Sequence, residues 1–376
     1  MTAVRAKFVA VVLAVVIVAG IVGCGGGDRR STASVSQPLT SAENKVMAKL
    51  ARVVRERVRS TRSAGIVAGV VFADGRTRVV AYGDAGAGKR LNASSVFEIG
   101  SITKVFTATL LSEMVRRGEV KLDDPLARFL PKAVHMPTRG GRQIRLVDLA
   151  TQTSGLPRLP TNAHPRNAAN PYADYTVEQL YEFLSHYTLT RAIGSRYEYS
   201  NLGVGLLGHV LALRAGKSYE ELLRERVLDP LGMTMTGITL SPEAKQHFAA
   251  GHDPGGKVVP HWDFSALAGA GALRSTITDM LRFAKANLTN EGSLQAGMAA
   301  THTPRYRIDA QMRIGLNWHI FGPSTATSSG TTEGRRASPA SSGSTRVSTW
   351  QSSCSATRRP RPSTTSASTS WTDECT

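Results

Sequence analysis

The chain has 376 residues, enough for one large core or two smaller ones, and its 41% hydrophobic content excludes an intrinsically disordered polypeptide. Its formal charge of +18 reflects 46 Lys and Arg against 28 Asp and Glu. These cations are scattered through amphipathic segments such as 49–63 with no nucleic-acid motif beside them, so the charge reads as a solvated basic surface suited to anionic lipid or cell-wall polymer, not to nucleic acid.

Arg5 and Lys7 precede the apolar run "FVAVVLAVVIVAGIVG", which ends at Cys24 and is followed by "GGGD". A charged start, an apolar stretch and small residues at the border predict an export signal over 1–24. "IVGC" resembles a bacterial lipobox, which implies cleavage before Cys24, lipidation of its thiol, and a membrane-anchored lipoprotein facing the periplasm or the cell exterior. Residues 25–40 read as a flexible tether. Cys354 and Cys375 are the remaining cysteines and both lie near the C-terminus, so no disulfide framework is expected in the folded body.

That body is predicted over 41–321. Thr40 and Glu43 form a capping-box pattern ahead of a helix with Val46, Leu50, Val53 and Val54 on one face. "GIVAGVVFADGRTRVVAYG" (65–83) reads as two strands around an Asp74-Gly75 turn. A helix from Ile102 to Arg117 stops at Gly118, and a mostly helical insert follows over about 124–275. Thr276 and Asp279 mark a further helix start. The order implies an α/β (α+β) architecture in which an early sheet is interrupted by a helical domain and completed after about residue 310, because two strands alone are marginal. "MRIGLNWHI" (312–320) starts that return.

"FEIGSITKVFTATLL" places Ser101 and Lys104 three residues apart at a helix start, on one face. A lysine there can relay the serine proton, and a helix N-terminus favours negative charge developing nearby. A bare Ser-x-x-Lys is more often ordinary helix surface, but the apolar flanks here would bury the lysine stem. In "YEYSNLGVGLLGHVL", Tyr199 is a candidate proton shuttle and Asn201 a candidate contact to a substrate amide. The plainer alternative makes Tyr199 a half-buried aromatic and Asn201 a helix N-cap. Tyr197 is a rival that lacks the Asn two residues on. The nine His are dispersed and no HExxH occurs, so neither a metal nor another cofactor is expected.

Taken in order, Ser101-x-x-Lys104, "LDDPLARFLP", "IRLVDLATQTSGLPRLP", Tyr199-x-Asn201, "VLDPLGMTMTGI" and "AGALRSTITDM" resemble segments of the penicillin-recognising serine hydrolases, in the branch of class C β-lactamases, DD-peptidases and esterases. The resemblance covers about 41–320. It implies a β-lactamase/transpeptidase-like fold, an antiparallel sheet flanked by helices plus a helical domain. Ser101 resembles the acylated nucleophile, Lys104 and Tyr199 the proton-transfer pair, Asn201 the substrate-amide contact, and Gln152 a residue near the substrate. The implied partner is a small β-lactam, D-Ala-peptide or ester, preferred in the order β-lactam, ester, peptide, with the chain acting as a monomer. The competing reading is a catalytically dead penicillin-fold binding lipoprotein or a non-functional remnant.

The family's third motif, Lys or His followed by one residue and Gly, is expected after residue 320. There the chain turns instead to "SSGTTEGRRASPASSGSTRVSTW" (328–350). Joining the third base of each preceding codon to the first two bases of the next, from Gly330 onward, permits W-H-N-G-G-T-x-G-F-A-S-F-L-G-F-D-P. An apolar V-N-V-A-V-V-L-L-S-N is permitted from Ser348. His-x-Gly lies within that string, whereas the opposite shift cannot encode His at the Thr331–Thr332 junction. We therefore read 322–376 as the C-terminal strands out of frame after a slip near Phe321, and expect a disordered tail and little hydrolysis from the chain in this frame.

Overall fold

The computed structural model describes residues 12–17, 38–61, 64–86, 88–253, 256–289 and 292–321. Cys24 and the segment 322–376 lie outside the described residues. The hairpin forms as its turn chemistry requires: β2 (Gly65–Val71) and β3 (Thr77–Gly83) pair antiparallel from Gly65↔Gly83 to Val71↔Thr77. Gly75 supplies the left-handed turn residue at φ 80°, and the Arg76 N–H donates to the Asp74 carboxylate at 2.9 Å.

β2 is buried along its whole length because helices cover both of its faces. The helix α1 (Ser41–Thr61) lays Leu50, Val54 and Val58 on Ile66 and Ala68. On the opposite face the helix Ile277–Leu288 crosses at Gly69, where a Cβ would sit only 2.8 Å from a Leu281 methyl. β1 (Val12–Ile17), from the apolar run of the N-terminus, lies parallel along the free edge of β2, from Val12↔Ile66 to Ile17↔Val71.

The expected completion of this sheet by 312–320 is not found among the described residues. Met312–Ile314 pairs instead with Tyr306–Arg307 and His319–Phe321 in a small separate sheet. The turn after Ile314 is held elsewhere: the N–H of Leu316 donates to the Thr301 carbonyl and that of Asn317 to the Ala150 carbonyl, at 2.9 and 2.7 Å.

At the centre of the helical domain stands α2 (Thr103–Arg116), buried from Thr103 through Met114. The helices α5 (Asn201–Ala215) and Gln295–Thr301 pack against it, α3 (Leu146–Ala150) packs against α5, and α4 (Val177–His186) adds Leu180, Phe183 and Leu184 to the same core. The insert is less helical than the sequence suggests. Its helices are short, and two hairpins, Thr138–Gln143 and Gly251–Val259, interrupt them. Antiparallel pairing of β4 (Val96–Glu98) with Arg274–Thr276 ties the two ends of the insert together beside the N-terminus of α2. Among the described residues no helix is long and apolar enough to cross a membrane, and no cluster of three or more His, Cys, Asp or Glu is placed to hold a metal.

Candidate active site

The chain leaves β4 through buried Ile99, turns at Gly100 with φ 50°, and enters α2 by a single 3-10 turn, Gly100–Ile102. Ser101 therefore stands exposed at the helix mouth while Lys104, one turn on, is only 3% exposed. The Ser101 N–H is among the opening amides that a helix leaves without an intrahelical acceptor.

A buried ammonium needs partners, and Lys104 has them. Its Nζ donates to Ser101 Oγ at 3.1 Å, Asn201 Oδ1 at 2.9 Å and the Ala270 carbonyl at 2.6 Å. These three oxygens surround Nζ and fix it beside Ser101 Oγ.

The second segment is set by capping. Ser200, not Asn201, is the N-cap of α5: its Oγ accepts from the Gly203 N–H at 2.8 Å. This corrects the plainer reading of Asn201 and frees its amide for the site, where Oδ1 receives Lys104 and Nδ2 donates to Tyr172 Oη at 3.0 Å. Tyr199 lies one residue ahead of the cap, with its hydroxyl 2.5 Å from Ser101 Oγ. Its ring is flanked by two cations, Lys104 Nζ at 4.8 Å and the Arg158 guanidinium at 5.0 Å from the centroid. Tyr197 faces elsewhere. Its hydroxyl is 2.9 Å from His319 Nε2, and burial, reinforced by the neighbouring Tyr199, pushes it up to about 12.

Gln152 requires a correction. Predicted near the substrate, it is 2% exposed and both ends of its amide are engaged inside the protein. Its Oε1 accepts from the Ser200 N–H at 2.7 Å and its Nε2 donates to Asn317 Oδ1 at 2.9 Å. It is buried against the segment that carries Tyr199.

Three contributors were invisible in the sequence. Arg158, whose side chain is exposed, is held by its carbonyl, which accepts the N–H groups of Asn201 and Leu202. The Ala270 carbonyl arrives from a 3-10 turn 166 positions away. Tyr172 stacks on Phe264 at 4.5 Å and forms an aromatic wall beside Asn201. The third-motif strand expected after residue 320 lies outside the described residues.

The arrangement offers an exposed hydroxyl touched at once by a phenol and a buried ammonium, which is the equipment of a nucleophile with an attached proton carrier. The Beta-lactamase family model matches residues 50–347. The chain belongs to the β-lactamase family. Among its curated relatives, the D-alanyl-D-alanine-carboxypeptidase/endopeptidase AmpH of Escherichia coli (strain K12) is 36% identical over 227 residues, 59% of this chain and 57% of AmpH. A β-lactamase of Pseudomonas fluorescens is 31% identical over 258 residues, 67% of this chain and 68% of that enzyme. A β-lactamase of Escherichia coli (strain K12) is 29% identical over 277 residues, 72% of this chain and 69% of its own length. The chain thus spans little more than half the length of AmpH.

Proposed function

We propose that the protein is built as a serine acyl hydrolase that works through an acyl-enzyme on Ser101, with β-lactams, small esters and D-Ala peptides as candidate substrates in that order. The observation that carries the reading is the contact of Tyr199 Oη with Ser101 Oγ at 2.5 Å, while Lys104 Nζ holds the same oxygen at 3.1 Å. Ser101 Oγ attacks the acyl carbon and its proton passes to Tyr199 Oη. Lys104 has no free valence for that proton while it donates three hydrogen bonds. Its charge, with that of Arg158, stabilises the negative form of the phenol before the transfer. When the carbonyl reforms, the amine or alkoxide departs and takes the proton from Tyr199, leaving an ester on Ser101. Water then attacks the ester carbon and gives a proton to Tyr199, and that proton returns to Ser101 Oγ as the acid is released. Asn201, anchored between Lys104 and Tyr172, orients the substrate amide.

We further propose that the chain acts at a membrane through lipidation of Cys24, and that its hydrolysis is impaired because the third-motif strand is out of frame. The second proposal is favoured by the genetic-code match from Gly330 onward. Labelling with a fluorescent penicillin and with a fluorophosphonate tests the assignment. With the frame restored, Ser101 is expected to be the sole labelled residue, and Ser101→Ala to abolish the label. Lys104→Ala and Tyr199→Phe should each slow labelling by about 10²–10⁴-fold. Labelling of Ser101→Ala at the parent rate would refute the nucleophile.

A further inference from the structure

Two non-glycine residues among those described adopt left-handed backbone, Gln152 at φ 61° and Asn317 at φ 54°. Such residues are uncommon, and they persist where the surroundings over-determine them. These two are 165 positions apart, both nearly fully buried, and hydrogen-bonded to each other through their side-chain amides at 2.9 Å. The Asn317 N–H also donates to the carbonyl of Ala150, at the end of α3 and two residues before Gln152.

What this pair holds is the segment carrying Tyr199. The N–H of Glu198 donates to the Gln152 carbonyl at 2.8 Å, and the N–H of Ser200 donates to Gln152 Oε1 at 2.7 Å. Both peptide neighbours of Tyr199 are thus fastened to one residue. The amide orientations follow from the donors. A backbone N–H can only donate, so the oxygen of Gln152 must face Ser200 and its NH₂ must face Asn317. Asn317 then presents its oxygen to Gln152, and its Nδ2 is buried without a hydrogen-bond partner among the described residues. An arrangement that combines left-handed backbone with an unsatisfied donor does not recommend itself on stability alone.

We infer that the Gln152–Asn317 amide pair is a positioning device for Tyr199: it sets the height of the phenol over Ser101 by clipping the chain on both sides of it. Neither residue touches substrate. The kinetic consequence rests on the proposed role of Tyr199 as proton carrier, whereas the positional consequence does not. Displacing a proton carrier by about 1 Å can cost on the order of 10²-fold in rate.

The test uses the full chain with ¹³C-labelled tyrosine, the Tyr199 signal being assigned by its loss in Tyr199→Phe. Asn317→Gly accepts the left-handed backbone and removes only the side chain, so it reports on the amide contact apart from the strain; Gln152→Ala removes the other half. Both variants should shift the Tyr199 phenol carbon signal, and the double variant should go no further than either alone. Gln152→Glu should restore the parent signal, because one carboxyl oxygen still accepts from Ser200 and the Asn317 amide can turn its NH₂ toward the other. In the frame-restored protein the same two variants should lower the maximal rate of Ser101 labelling by about 10²-fold, leaving half-saturation unchanged. A Tyr199 signal in Asn317→Gly that superimposes on the parent, or additive effects in the double variant, overturns the proposal. Asn317→Gly decides alone should Gln152→Ala fail to fold. Absence of any Ser101 labelling would count against the proposed function and leave the spectroscopic result standing.

Discussion

Lys104 and Arg158 flank the same phenol, yet their burial gives them different weight. Lys104 is buried with three acceptors, whereas Arg158 is exposed to solvent. A cation over an aromatic face at an exposed site contributes about 0.5–1 kcal/mol, so Arg158→Gln should slow labelling of the frame-restored protein only about two- to five-fold. A loss as large as that of Lys104→Ala would mean that Arg158 contacts the substrate directly. Glu113 supplies a different prediction at this scale. Its carboxylate is buried on α2 and accepts from Arg116 at 2.8 and 2.9 Å and from Arg117 at 2.7 Å. Burial alone would push its pKa up, but the two guanidinium groups outweigh burial and hold it below the usual carboxylate range. A pKa lower in the folded than in the unfolded chain means that the stabilisation is fully present above the unfolded glutamate value of about 4.3 and is lost as pH falls through the folded value. Both arginines are more than two-fifths exposed, which dilutes the gain. Glu113→Gln should therefore cost about 1–2 kcal/mol in chemical denaturation at pH 7, with the gap closing below pH ~4. A gap that stays constant down to pH ~3 would rule out the charge as its source.

At the scale of elements, the glycines of α5 explain how a carbonyl from the far end of the insert reaches Lys104. Gly205 faces Leu267, and Gly208 meets Gly269, where a Cβ on either partner would lie 3.0 Å from the other's Cα. The helix and the turn Ala268–Ala270 approach to backbone contact, which sets the Ala270 carbonyl 2.6 Å from Lys104 Nζ and the Gly269 carbonyl 2.8 Å from the Thr107 hydroxyl. Gly269→Ala meets backbone on two sides, at Gly208 and at the Val204 carbonyl, so the turn must withdraw. We expect a loss of about 1–3 kcal/mol by thermal or chemical denaturation and slower Ser101 labelling than in the parent. Unchanged labelling in the folded variant would show that the Ala270 carbonyl is dispensable to Lys104. β2 carries a related dependence. Cleavage before Cys24 would remove Val12–Ile17 and leave the edge of a fully buried strand without its neighbour, a condition that proteins normally avoid by covering the edge.

For the molecule as a whole, the proposed cleavage before Cys24 and the proposed slip of frame near Phe321 can be tested together. The apolar string permitted from Ser348 is a strand in composition, and the edge of β2 is where a strand would be needed if cleavage removed β1. A chain starting at Cys24 with its frame restored should unfold at higher temperature and aggregate less than the same chain in the present frame, as scanning calorimetry and light scattering would record. It should also regain Ser101 labelling. Equal stability and equal labelling of the two chains would refute the frame reading. Location is checked separately: Cys24→Ser should abolish incorporation of labelled lipid and leave the precursor uncut at that site.

Much of this protein was legible without coordinates. The hairpin follows from Asp74-Gly75 between two β-branched runs, and α2 from apolar residues closed by Gly118, because turn chemistry and periodicity act over a few residues. Ser101, Lys104, Tyr199 and Asn201 could be singled out because each lies in a short segment whose composition is unusual for its surroundings. Gln152 was misplaced for the same reason. Its segment marks it as close to the site, but whether an amide faces the cleft or the core depends on Asn317, far along the chain. The N-cap of α5, the contact of Lys104 with the Ala270 carbonyl and the second cation at Arg158 were likewise decided only by tertiary structure. Local sequence sets which residues are able to carry the chemistry. Which of their hydrogen-bonding valences remain open is decided by partners more than a hundred residues away, and a buried polar group must find such partners before it can be counted as part of a site.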